Sequence, residues 1–78
     1  MRNKKYSKEF RNFKKAFPRV FKEARLNIGY SQEYLGKRLG ISTVAICHYE
    51  KGVSLPGLET LFKISHVLGI FSINFSCK

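Results

Sequence analysis

The chain predicts an all-α fold, a compact domain of five short helices behind a basic amino-terminal arm. Three observations carry that expectation. Apolar residues recur at three- and four-residue spacing from Phe17 to Leu68, and no alternating strand pattern competes. Serines stand where helix caps are needed and glycines where helices must stop. At 78 residues there is room for one modest core, and a hydrophobic fraction of 44% is more than a disordered polycation carries.

Residues 1–16 form the expected arm, with Arg2, Lys4, Lys5, Lys8, Arg11, Lys14 and Lys15 against the single acid Glu9. Phe10, Phe13 and Phe17 sit at helical spacing, so the arm is either an amphipathic helix laid on the domain or a loose tail. The folded domain is expected over 17–78. Pro18 suits the first turn of a helix, where its missing N–H costs nothing, and Gly29 suits the position past a helix end. Helix one is therefore expected over 18–28, with Phe17, Val20, Phe21, Ala24 and Ile28 as its apolar stripe.

Ser31 caps a second helix with Leu35 and Leu39 inward, closed by Gly40. Ser42 repeats the cap for a third, with Ile46 and Tyr49 inward, ended by Gly52. A fourth helix, Leu58 to Leu68, turns Leu58, Leu61, Ile64, Val67 and Leu68 to one side and stops at Gly69. The apolar end from Ile70 to Phe75 has room for a short fifth helix capped by Ser72.

Charge sets the class of partner. Fifteen Lys and Arg against five Asp and Glu give a formal charge of +10, a field that attracts polyanions. Catalysis needs a nucleophile, a base and an orienting group gathered in a pocket, and so small and basic a chain has few acids to supply them, so no enzyme is expected. Cys47 and Cys77 lack the spacing of a disulfide framework or zinc site, which implies a reducing, cytoplasmic compartment. Cys47 and His48 are adjacent, about 100° apart on a helix, so they do not share a metal. A redox role for Cys47 is less economical than that of a small surface residue, and His66 reads as a half-exposed surface residue. Neither a cofactor nor a metal is expected. No apolar run reaches the roughly 20 residues of a bilayer span, and no signal peptide follows the basic start, so the chain is expected to be soluble and unexported.

The segment QEYLGKRLGISTVAICHYEK, Gln32 to Lys51, resembles the helix-turn-helix unit of the lambda-repressor-like, Cro and XRE family. Apolar residues stand at Leu35, Leu39, Ile41, Ile46 and Tyr49, a small residue at Gly36 where two helices cross, and glycine at the Gly40 turn. The likeness continues through FPRVFKEARLNIGYS before the unit and LPGLETLFKISHVLGI after it, covering roughly 17–75.

The resemblance implies a sequence-specific DNA-binding transcriptional regulator of repressor type, bacterial or phage in character. The third helix, residues 42–51, would enter the major groove of double-stranded DNA with Thr43, Val44, Cys47 and His48 toward the bases. These are shorter and less polar than the Gln, Arg and Asn common in the family, which shifts readout toward thymine methyls and DNA shape. Gln32, Ser42 and Lys51 are the expected phosphate contacts, although Ser42 also reads as a cap alone and Lys51 as a solvated charge. Arg25 and Glu50 occupy positions that pair across helices one and three in the family. Related folds form a homodimer through the end of the domain, here Phe71, Ile73 and Phe75, too many apolar side chains for one short segment to bury. Two rivals remain. One is an antitoxin-like component that neutralises a partner toxin and binds DNA only in that complex, whereas a regulator would have polymerase as its possible protein partner; the other is an arm that lies on anionic membrane, against which no membrane partner is expected.

Overall fold

The computed structural model describes residues 7–71, and over that stretch the chain forms four helices: α1 Lys8–Ile28, α2 Gln32–Leu39, α3 Thr43–Lys51 and α4 Leu58–Leu68. The first three start on serine caps. Ser7, Ser31 and Ser42 accept at their hydroxyl oxygens from the backbone N–H of Phe10, Tyr34 and Ala45 at 2.9–3.0 Å. All four end on a glycine in the left-handed region. The fifth helix expected after Ser72 lies outside the described residues, as do Ile73 and Phe75.

Phe17 and Phe21 of α1, Leu35 and Leu39 of α2, Ile46 of α3, and Ile64 and Leu68 of α4 make the core. Tyr49 presents its ring edge-on to Phe17 and Phe21, so α3 is pinned to α1 by an aromatic contact as well as by Ile46. Two residues expected inside are exposed: Ile28 at 44% and Leu58 at 81%. Both are terminal residues of their helices. Periodicity assigns a terminal residue a direction, but among the described residues no neighbouring element covers it.

The main correction concerns α1. It starts at Lys8, not at Pro18, and the proline lies in the interior of a 21-residue helix. An interior proline cannot donate to the carbonyl four residues back, here that of Lys14, and costs about 3 kcal/mol against alanine. Aromatic packing offsets that cost. Phe13 lies tilted against Phe17 at 5.7 Å, and Phe71 lies edge-on to Phe13 at 5.1 Å and flat against Phe17 at 5.6 Å. Burying one large apolar side chain contributes about 1.5–3 kcal/mol, so a fully buried Phe17 and a half-buried Phe13 are of the right size to carry the helix through the proline. Residues 8–16 thus continue the first helix of the domain.

Candidate nucleic-acid interface

α3 shows what the chain offers to a partner. Ile46 is fully buried and Tyr49 half-buried, which turns the opposite side of the helix to solvent. Thr43, Val44 and His48 stand exposed on that side, with Val44 at 61%, while Cys47 is half-buried between them. Lys51 closes the helix, exposed and within the same arc. Of the residues expected to face bases, all four lie on this single face.

The position of α3 is set first by its turn. A Cβ added to Gly36 would come within 2.8 Å of the Ile41 carbonyl oxygen, a backbone atom that cannot swing aside, so only glycine lets the turn sit this close to α2. The same turn is closed by the Ile41 N–H donating to the Gly36 carbonyl at 2.9 Å. Gly40 takes a φ of +74°, which other residues adopt only at a cost.

The second constraint is polar and tertiary. Arg25 Nε donates to Glu50 Oε2 at 2.6 Å and Nη2 to Oε1 at 3.0 Å, a bidentate pair. Nη1 donates to the Tyr30 carbonyl at 2.9 Å. The two side chains are only 8% and 4% exposed, so this is a buried ion pair whose hydrogen-bonding groups are largely satisfied. Gln32 enters the same cluster, its Nε2 donating to Glu50 Oε1 at 3.0 Å. One carboxylate on α3 therefore receives α1, through Arg25, and α2, through Gln32.

Gln32, expected only as a phosphate contact, is in part a structural residue. Nothing local in the sequence points to its bond with Glu50, because the two are far apart along the chain and meet only once the helices pack. Ser42 spends an oxygen lone pair on its cap. Phe71, expected at a subunit seam, is half-buried against Phe13 and Phe17. His66 is exposed and stacks on Phe62 at 6.2 Å.

Two further features had no forecast. On the outer side of α2, the Tyr30 and Tyr34 rings meet edge-on at 4.7 Å, and Arg38 Nη1 donates to the Tyr30 hydroxyl at 3.0 Å. The Tyr34 phenol, and after it Tyr30, push the Arg38 guanidinium above its ordinary value. The other is a cleft of about 510 Å³ where α1 passes the end of α3, lined by Arg11, Lys14, Lys15, Pro18 and Gly52. Among the described residues, no three His, Cys, Asp or Glu side chains gather as metal ligands, and no helix is long and apolar enough to cross a membrane.

Comparison with known proteins agrees with this architecture. A family model described as helix-turn-helix matches residues 21–74. The SPbeta prophage-derived uncharacterized HTH-type transcriptional regulator YonR of Bacillus subtilis (strain 168) is 39% identical over 62 residues, which are 80% of this chain and 56% of the relative. The chain thus spans little more than half the length of that protein. With α2 and α3 joined by the Gly40 turn and clamped by Arg25 and Glu50, and with the family match covering most of the chain, this protein belongs to the lambda-repressor-like, Cro and XRE family of helix-turn-helix domains.

Proposed function

We propose that the chain is a sequence-specific DNA-binding module of a transcriptional regulator, reading the major groove with α3 and repressing by occupying its site. The observation that carries this reading is the exposed face of α3, where Thr43, Val44 and His48 project beside Cys47 from a helix locked to both neighbours. Thr43 and Val44 suit thymine methyls, and His48 suits a guanine acceptor. The charge of +10 supplies the attraction, and the Bacillus subtilis relative carries the name of a transcriptional regulator.

Gln32, Ser42 and Lys51 are assigned to phosphates. A Gln32 amide has a second N–H beyond the one given to Glu50, and a capping Ser42 hydroxyl still has its proton to donate. Two copies pair through the end of the domain so that their α3 helices lie roughly 34 Å apart, one turn of DNA. With Phe71 turned onto Phe13 and Phe17, the weight of that seam falls on Ile73 and Phe75.

The test is selection from random duplexes followed by titration of the recovered sequence. A two-fold site, bound cooperatively and with affinity falling steeply with salt, is the expected result. Ile73→Ser with Phe75→Ser should remove the cooperativity and spare weak binding to one half-site. Failure to enrich any sequence would remove the reading.

A further inference from the structure

We propose that the cleft between the amino-terminal part of α1 and the end of α3 is a preformed seat for the DNA backbone, a phosphate clamp built from Arg11, Lys14 and Lys15. It rests on the DNA-binding reading above and adds to it a site outside the helix-turn-helix unit.

The geometry starts from spacing. Arg11, Lys14, Lys15 and Pro18 fall at i, i+3, i+4 and i+7, so they share one face of α1. Phe13 and Phe17 lie roughly a third of a turn away on the same helix, and their contacts with Phe71 fix its rotation. The basic face is therefore aimed, and it is aimed at α3. Pro18 approaches Gly52 so closely that a Cβ there would be 3.4 Å from the proline Cγ. Gly52 directly follows Lys51, so the cleft adjoins the exposed arc of α3 that carries Thr43, Val44 and His48.

Electrostatics decide the ligand. The carboxyl end of a helix carries about half a negative charge, which by itself repels an anion. Arg11, Lys14 and Lys15 line the cleft and Lys51 directly precedes Gly52, so the lining is basic. A volume of about 510 Å³ admits a phosphodiester group with its flanking sugars. Lipid phosphate is the poorer fit, because membrane binding by this segment needs its apolar side outward, and Phe13 and Phe17 are turned onto the core.

The experiment compares two double variants of the full chain on the duplex recovered by selection, with fluorescence anisotropy across a salt series. Lys14→Gln with Lys15→Gln removes two clamp charges. Arg19→Gln with Lys63→Gln removes the same charge from the surface pairs with Glu23 and Glu59. The clamp predicts that the slope of log affinity against log salt becomes shallower by about 2 in the first variant and by less than about 0.5 in the second. Selection with the first variant should return the same preferred sequence.

Equal changes in the two variants would mean a diffuse field and would overturn the clamp. So would an unmoved slope in a Lys14/Lys15 variant that loses binding to phosphatidylserine vesicles, which would assign the cleft to lipid. If the unaltered chain binds no duplex, the DNA reading falls and takes the clamp with it; duplex binding with an unmoved slope removes the clamp alone.

Discussion

The exposed face of α3 and the basic face of α1 meet at Gly52, yet they differ in almost every chemical respect. Thr43, Val44, Cys47 and His48 are short, carry no formal charge with His48 neutral, and differ from one another in what they can touch. Arg11, Lys14 and Lys15 are long, charged and nearly interchangeable. Side chains of the first kind can distinguish base pairs but attract DNA weakly, whereas those of the second attract any phosphate and distinguish nothing. On the proposed reading, a small domain with a weakly polar reading helix obtains its affinity from a separate surface, and the two surfaces are useful together only if their relative position is fixed.

That position depends most on the buried pair between α1 and α3. Arg25→Met leaves Glu50 buried with Gln32 as its remaining partner, and removing one member of such a pair costs about 3–5 kcal/mol. Urea unfolding should show the loss. Replacing both, as Arg25→Met with Glu50→Leu, should recover much of it, because no charge is then stranded. A single variant as stable as the unaltered chain would show that the pair is solvated in solution.

Next in size is the crossing of α2 and α3. Gly36→Val puts three carbons where the Ile41 carbonyl oxygen already stands within 2.8 Å of a single added one, and overpacking of this kind costs about 1–3 kcal/mol. Because the obstacle is the backbone of the turn, α3 must shift relative to α2. DNA affinity at a temperature where the variant is folded should fall further than that of Gly57→Ala, where φ is −72° and the added Cβ meets nothing within 4 Å. Equal affinities in the two folded variants would show that the turn absorbs the clash without moving the reading helix.

The contrast between reading and attracting can be sharpened inside α3 itself. His48→Ala should change the preferred base at one position, a discrimination of about 1–3 kcal/mol, while Lys51→Gln should weaken all sequences alike and make the salt slope shallower by about 1. Parallel selections with the two variants check it. A uniform loss from both would move His48 to the phosphate side of the ledger.

How much of this was legible in the chain follows the range of each interaction. Ser31, Gly40, Ser42 and Gly52 bracket α2 and α3 as expected because a cap is made within three or four residues of its own helix. Pro18 was misleading for the same reason. Its local preference for a first turn is real, but contacts from Phe71, more than fifty residues away, carry the helix through it. The expected amphipathic spacing of Phe10, Phe13 and Phe17 was the one sign of a longer α1, and it stood beside the equally economical reading of a loose tail. Gln32 beside Glu50, and Arg11 beside Gly52, are products of packing and have no short-range signature.

The smallest effect separates the charge of the basic face from its rigidity. Phe13→Leu keeps an apolar side chain on the core but removes the ring that meets Phe71 edge-on at 5.1 Å and Phe17 at 5.7 Å, pairs that contribute about 0.5–1.5 kcal/mol beyond their buried area. Since the amino-terminal turns of α1 lie beyond an interior proline, they should loosen before the rest of the domain, and amide exchange over residues 9–16 should speed up about three- to tenfold while α2 and α3 are unchanged. On DNA the salt slope should stay where it is, because every cation remains and the slope counts phosphates neutralised. Affinity should nevertheless drop severalfold, because a loosened helix must be ordered again when its face meets the backbone. Both readings come from one titration. A slope that falls together with the affinity would mean that the phosphate contacts themselves are lost. Unaltered exchange over 9–16 would instead show that helix propagation through Pro18, and not the Phe13–Phe71 contact, holds the basic face against the end of α3.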